Sequence, residues 1–203
     1  RQRSLRTVFD FSWQRLPAAE RVLFRRLAVF QGGFQRAAAE AVCEASLAGL
    51  TSLIEKSLLQ RSADGRFEMH ELIYQYAREQ LNAAPDEQAQ LHDRHCCYFA
   101  AYIFQRHERL KGQTPTQPRA EIQQELDNVR SGWQHAVASA QAPLVEAIEK
   151  YMDGLFVFWE MNSAFVEGER AFAQAAAAFE AVSSQLDRRG LILRANLLAR
   201  HGW

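Results

Sequence analysis

A lone histidine set between a short strand and an amphipathic helix is the arrangement in this chain best suited to chemistry. Met69-His70-Glu71 ends a strand-like run at 66–69 and opens a helical pattern at Glu71. Helix starts carry unpaired backbone N–H groups and a partial positive charge, so a histidine there adds one more donor for an anion such as phosphate. The same position suits a helix cap, and the triplet alone leaves both roles open. His92, His95 and Cys96 share one helical face at i, i+3 and i+4, but supply three ligands where a structural zinc site needs four, and His95 also fits a core stripe; no metal is expected. Cys96 and Cys97 are adjacent in a helical pattern and point apart, which disfavours a redox pair. There is no Gly-x-Ser-x-Gly elbow and no recognisable cysteine signature, so no catalytic residue is expected. None of the ten glycines lies in a Gly-x-x-x-x-Gly-Lys-Ser/Thr loop, so the chain carries no triphosphate cradle of its own. Among the aromatics Phe156, Phe158, Trp159, Phe165 and Phe172, core packing accounts for most. Phe156 and Trp159 cannot share a helical strip with Phe158, so Phe158, Trp159 and Phe165 form the expected ligand or partner surface.

The elements that must position these residues follow from periodicity. Leu5, Val8, Phe9, Ser12 and Leu16 recur at helical spacing, Pro17 opens a second helix, and Gly32-Gly33 stops it. A short helix over 36–44 precedes another over 47–57. Two strands, 58–61 and 66–69, flank Ala63-Asp64-Gly65, a strong hairpin signal. Helices followed by a two-stranded wing make a winged helix, closed by the helix with Leu72, Ile73, Tyr76, Ala77 and Leu81 on one face. From residue 86 onward only helices are expected: 86–110, 118–140, one after Ala142-Pro143, an alanine-rich one over 163–183, and 185–200. Such pairs suggest a tetratricopeptide-like superhelix. The expected fold class is therefore mainly α, with a winged-helix domain at 1–84 and a helical domain at 85–203.

Of the 203 residues 48% are hydrophobic and 24% charged, enough apolar material for a substantial core. Lys plus Arg and Asp plus Glu both number 24, so no global field draws the chain to nucleic acid or an acidic membrane. The candidate recognition helix, 47–57, offers only Lys56, offset by Glu55, and the wing adds Arg61 and Arg66; DNA contact is not expected. Three cysteines, no secretion signal and no long apolar span point to a reduced, cytoplasmic setting. A start at Arg1 without methionine, and an end at Trp203 inside a helical pattern, read as a piece of a longer protein.

Several segments together resemble a known family. They are Ser4 to Trp13, Leu16 to Arg21, Leu27 to Phe34, Ala37 to Cys43, Leu53 to Leu59 and Tyr74 to Leu81, with Leu126-Asp127-Asn128-Val129-Arg130-Ser131-Gly132-Trp133 further on. Their order resembles the region just after the nucleotide-binding core in bacterial signal-transduction ATPases of the NB-ARC/STAND class, especially AfsR-like and large LuxR-type transcriptional regulators. The resemblance implies that a P-loop domain lies upstream, that ADP or ATP binds the longer protein, and that Met69 and His70 match the first two residues of a Met-His-Asp motif whose histidine contacts the β-phosphate of ADP. Glu71 departs from the usual Asp. The implied role is regulatory and non-enzymatic, with the winged helix docked on the nucleotide domain and the helical repeats sensing a ligand or protein. The alternatives are a DNA-binding winged helix with a helical dimerisation domain, or a protein-interaction scaffold.

Overall fold

Residues suited to helix starts set the boundaries in the first half of the chain. The computed structural model describes residues 2–139 and 142–201, with the side chains of 9–139, 144–184 and 186–200. The expected contributions of Leu5, Val8, Ala140, Pro143 and Trp203 lie outside these. Helix α1 is Gln2–Arg15; Pro17, at φ −52°, caps α2, Ala18–Arg26, which tightens into a 3-10 turn at Leu27–Val29. Helix α3, Arg36–Cys43, closes on Glu44 in the left-handed region at φ 59°. Ser46 caps α4, Leu47–Glu55, its Oγ accepting the Gly49 N–H at 3.1 Å. Strands β1, Gln60–Arg61, and β2, Phe67–Glu68, pair antiparallel with Arg61 opposite Phe67, the turn passing through Gly65 at φ 84°. Helix α5 is Glu71–Asn82 and α6 is Pro85–Leu110. After them come α7 (Thr116–Gln124), α8 (Leu126–Ser139), α9 (Ala142–Met161), α10 (Phe165–Ala181), a 3-10 turn at Ser183–Gln185, and α11 (Arg188–His201). The protein is mainly α with one short hairpin, as the periodicity predicts.

Two differences from the sequence reading have local causes. The strands are shorter than expected, two residues each, because Leu58 and Leu59 are drawn into the core instead of extending the wing. The helix expected over 118–140 is broken at Glu125, where φ is −104° and ψ is 11°. The carboxylate there is buried and accepts the Asn128 amide at 2.9 Å, which starts α8 as a separate helix.

Contacts divide the chain into two units, Arg1–His95 and Cys96–Trp203. In the first, α2 packs on α4 and α5 over a core that includes Val29, Ala39, Val42, Leu50 and Leu53, each fully buried. An ionic network fastens its helices. Glu87 accepts from Arg25 Nε and Arg26 Nε at 2.7 Å each, while Glu44 accepts from Arg26 Nη1 at 2.7 Å and Arg94 Nη1 at 2.8 Å. Burial pushes the Glu87 carboxyl up, but the hydrogen bonds from Arg26 and Arg25 outweigh it and hold the group below the usual carboxylate range. A folded-state value below the unfolded one stabilises the fold above the unfolded pKa, about 4.3, and that contribution disappears as pH falls through the folded value. Glu87→Gln is therefore expected to cost about 1–2 kcal/mol at pH 7. In urea titrations the gap between variant and parent closes as pH falls through the lowered folded-state value of Glu87; a gap that stays constant with pH assigns the loss to packing instead.

In the second unit, α8, α9, α10 and α11 stack around Ile148, Tyr151, Leu155, Phe172 and Phe179, all at most 1% exposed. No single helix among the described residues is long and apolar enough to cross a membrane, although α3 and α4, bent by 110°, pass that test together.

Candidate functional site

The wing is anchored by aromatic stacking that Gly32 and Gly33 make possible. Both take positive φ, 67° and 91°, and a Cβ on Gly33 would meet the Phe67 carbonyl at 3.0 Å. Without side chains there, the strand segment at Phe34 pairs with Phe67 through two backbone hydrogen bonds of 2.9 and 2.8 Å. The rings of Phe30 and Phe34 stack at 4.6 Å, and those of Phe34 and Phe67 at 5.8 Å. The hairpin is thereby fixed, and with it the position at which the chain leaves β2 for α5.

His70 is the N-cap of α5, with φ −60° and ψ 141°. Its Nδ1 accepts the Leu72 N–H at 3.4 Å, and its carbonyl accepts from Ile73 and Tyr74 at 2.8 and 2.9 Å. A ring nitrogen that accepts carries no proton, so the neutral ring holds its proton on Nε2. The residue is exposed, and Nε2–H is left as an outward donor at the positive end of α5. Capping and anion contact are thus compatible, one on each ring nitrogen. Glu71 is exposed and its Oε1 accepts from Gln75 at 2.7 Å, one turn along α5.

Beside this junction lies a cleft of about 290 Å³. Gly32, Gly33, Glu68, Met69, Glu71 and Tyr74 line it, and Gln31 donates to the Tyr74 hydroxyl across its edge at 2.7 Å. His70 is not among the lining residues, and the two carboxylates that are, Glu68 and Glu71, make the cleft acidic. An anion is repelled there.

The cations weighed for DNA contact are largely committed. Lys56 Nζ bonds Glu20 at 2.9 Å and Arg66 is 6% exposed, leaving Arg61 exposed on the wing. Of the metal candidates, His95 is buried against the Phe30 ring at 5.6 Å and Cys96 is buried while Cys97 is exposed. Among the described residues no group of three or more His, Cys, Asp or Glu side chains is arranged to hold a metal.

The aromatic surface expected in the second unit is placed differently from the helical-strip argument. Phe158 is a core residue, 2% exposed, because α8, α10 and α11 pack on α9 and its solvent-facing strip runs instead through Glu146, Asp153 and Glu160. Trp159 is also 2% exposed yet forms part of the floor of a cleft of about 550 Å³ between α8 and α10. Phe165 is half-exposed at the first turn of α10, and its neighbour Val166 lines the cleft in its place. Sequence spacing carries no sign of the polar rim of this cleft. Arg130 grips Glu167 with Nε to Oε1 at 2.6 Å and Nη2 to Oε2 at 2.8 Å, 37 positions apart, which holds the Glu167 carboxyl below the usual range.

No protein-family model and no solved structure matches this chain. Curated relatives do: proteins of Mycobacterium bovis and of two Mycobacterium tuberculosis strains, named as HTH-type transcriptional regulators, are each 33% identical over an alignment of 150 residues that covers 66% of this chain. The chain spans 16% of the length of these relatives. It is similar to one segment of much larger regulators.

Proposed function

We propose that this chain is the regulatory segment of a STAND-type transcriptional regulator. Its first unit is a winged helix that docks on an upstream nucleotide-binding domain, and its second is a tetratricopeptide-like stack that senses a ligand or partner. The orientation of His70 carries this reading: Nδ1 is tied to the Leu72 N–H while Nε2–H is presented outward at the start of α5, directly after the wing. The similarity to long transcriptional regulators supports it, as does the acidic cleft beside His70, since a phosphate must then arrive with another domain. Ligand binding in the second unit moves the winged helix and withdraws His70 from ADP. One charge-assisted hydrogen bond biases such a two-state arrangement by about 1.5–3 kcal/mol.

The test uses a longer protein that includes the upstream domain. His70→Ala should weaken ADP retention about tenfold. His70→Asp separates capping from latching: aspartate caps a helix well but repels phosphate, so thermal stability should hold while ADP retention falls at least as far. Unchanged ADP retention in both variants eliminates the latch.

A further inference from the structure

We propose that the groove between α8 and α10 binds an elongated apolar carboxylate, its body lying on the indole floor and its carboxylate held by Arg170 and the Trp159 N–H. This rests on the reading of the second unit as the sensing half and names what that half would sense.

The shape comes first. The cleft of about 550 Å³ has Val129, Trp133, Leu155 and Trp159 as its floor, all at most 4% exposed. It is joined by a neighbouring cleft of about 490 Å³ that shares Trp133, Gln134 and Gln174 and runs on past Ala178 to Val182. The two lie end to end along the same pair of helices, and each falls in the size range of small-molecule sites. The lining of the second is chiefly small aliphatic side chains, which suits a narrow alkyl or aryl body.

The polar groups decide the chemistry. Trp159 is buried, and its Nε1–H has no partner at hydrogen-bond geometry, although Glu167 lies close enough to feel it. Among the described residues Arg170 makes no ion pair, and the amides of Gln134 and Gln174 are also without partners; all three line the cleft. Arg130 and Glu167 satisfy each other as a bidentate pair, with Asp127 touching Arg130 at 3.4 Å from outside the lining. Arg170 is therefore the uncompensated charge of the rim. A buried donor without an acceptor is costly, and the Trp159 N–H, which Glu167 approaches without a hydrogen bond of full geometry, lines the same cleft as the exposed, unpaired Arg170 guanidinium. A ligand that brings a carboxylate fills both, whereas an amine of equal length meets donors and a positive charge.

Decanoate and decylamine, below their micellar concentrations, test this on the full chain by calorimetry and tryptophan fluorescence. Decanoate should bind at least about tenfold more tightly than decylamine. Arg170→Gln, at an exposed position, should weaken decanoate about fivefold or more, and Trp159→Phe should weaken it while leaving the floor packed. Ala171→Phe should block the cleft. Equal binding of acid and amine, an Arg170→Gln variant that binds as the parent does, or no decanoate binding at millimolar concentration overturns the proposal. The failure modes are separable: decanoate binding with an ADP-indifferent His70→Ala sinks only the latch, and an intact latch without decanoate binding sinks only the groove.

Discussion

Phe172→Ala is expected to lower the unfolding free energy by about 3–5 kcal/mol, the range for truncating a buried aromatic ring. Phe172 is fully buried near the middle of α10. The ring sits edge-on to Trp133 at 5.9 Å and to Trp159 at 5.4 Å, with interplanar angles of 88° and 82°, and Phe156 closes the group at 6.3 Å. Edge-to-face pairs add about 0.5–1.5 kcal/mol beyond the area they bury, so two indoles lose their support with one substitution. Domains of this size are stable by about 5–15 kcal/mol, which makes the loss a large share of the total. The same two indoles floor the groove between α8 and α10, so the variant should also lose decanoate binding. Phe172→Leu keeps most of the volume and should cost less than about 2 kcal/mol. Urea unfolding followed by tryptophan fluorescence reads both variants. A loss below about 1 kcal/mol in Phe172→Ala would mean that the aromatic cluster does not hold the helices together.

Most of the fold is legible in local sequence, because its boundaries are set by residues acting on their own neighbourhood. Pro17 starts α2 and Asp64-Gly65 turns the hairpin. What local spacing misses is whatever depends on a distant partner. Spacing assigns Phe158 to a surface because two strips of α9 cannot face the same neighbour, but α9 has neighbours on both sides and both strips are covered. The break at Glu125 arises from a good helix former whose carboxylate turns inward to Asn128. At the candidate site, the place of His70 between wing and helix follows from the pattern, whereas the division of labour between its ring nitrogens comes from a hydrogen bond that no spacing encodes. The Arg130–Glu167 clamp joins residues in different helices, and only the tertiary structure brings them into one rim.

Gly132→Ala should destabilise the second unit by about 2–4 kcal/mol, although alanine is the better helix former by about 1 kcal/mol in an exposed helix interior. Gly132 lies inside α8, where a Cβ would fall within the Tyr151 hydroxyl and only 3.4 Å from the Cα of Cys96. The Tyr151 ring cannot swing away: it is fully buried, edge-on to Trp133 at 6.0 Å, and its hydroxyl donates to the Cys96 carbonyl at 3.1 Å. Moving it breaks a buried hydrogen bond as well as disturbing the packing, so the two penalties add. Tyr151→Phe alone removes that bond and should cost about 1 kcal/mol. Because the clash is with the hydroxyl oxygen, the pair of substitutions should be better tolerated than their sum. The expected coupling is at least about 1 kcal/mol in the favourable direction, since phenylalanine leaves room for the new methyl apart from a close contact with the ring carbon. Thermal unfolding of the parent, the two single variants and the double variant measures it directly. Strict additivity would show that the close approach of the Tyr151 hydroxyl is not what requires a glycine in the middle of α8.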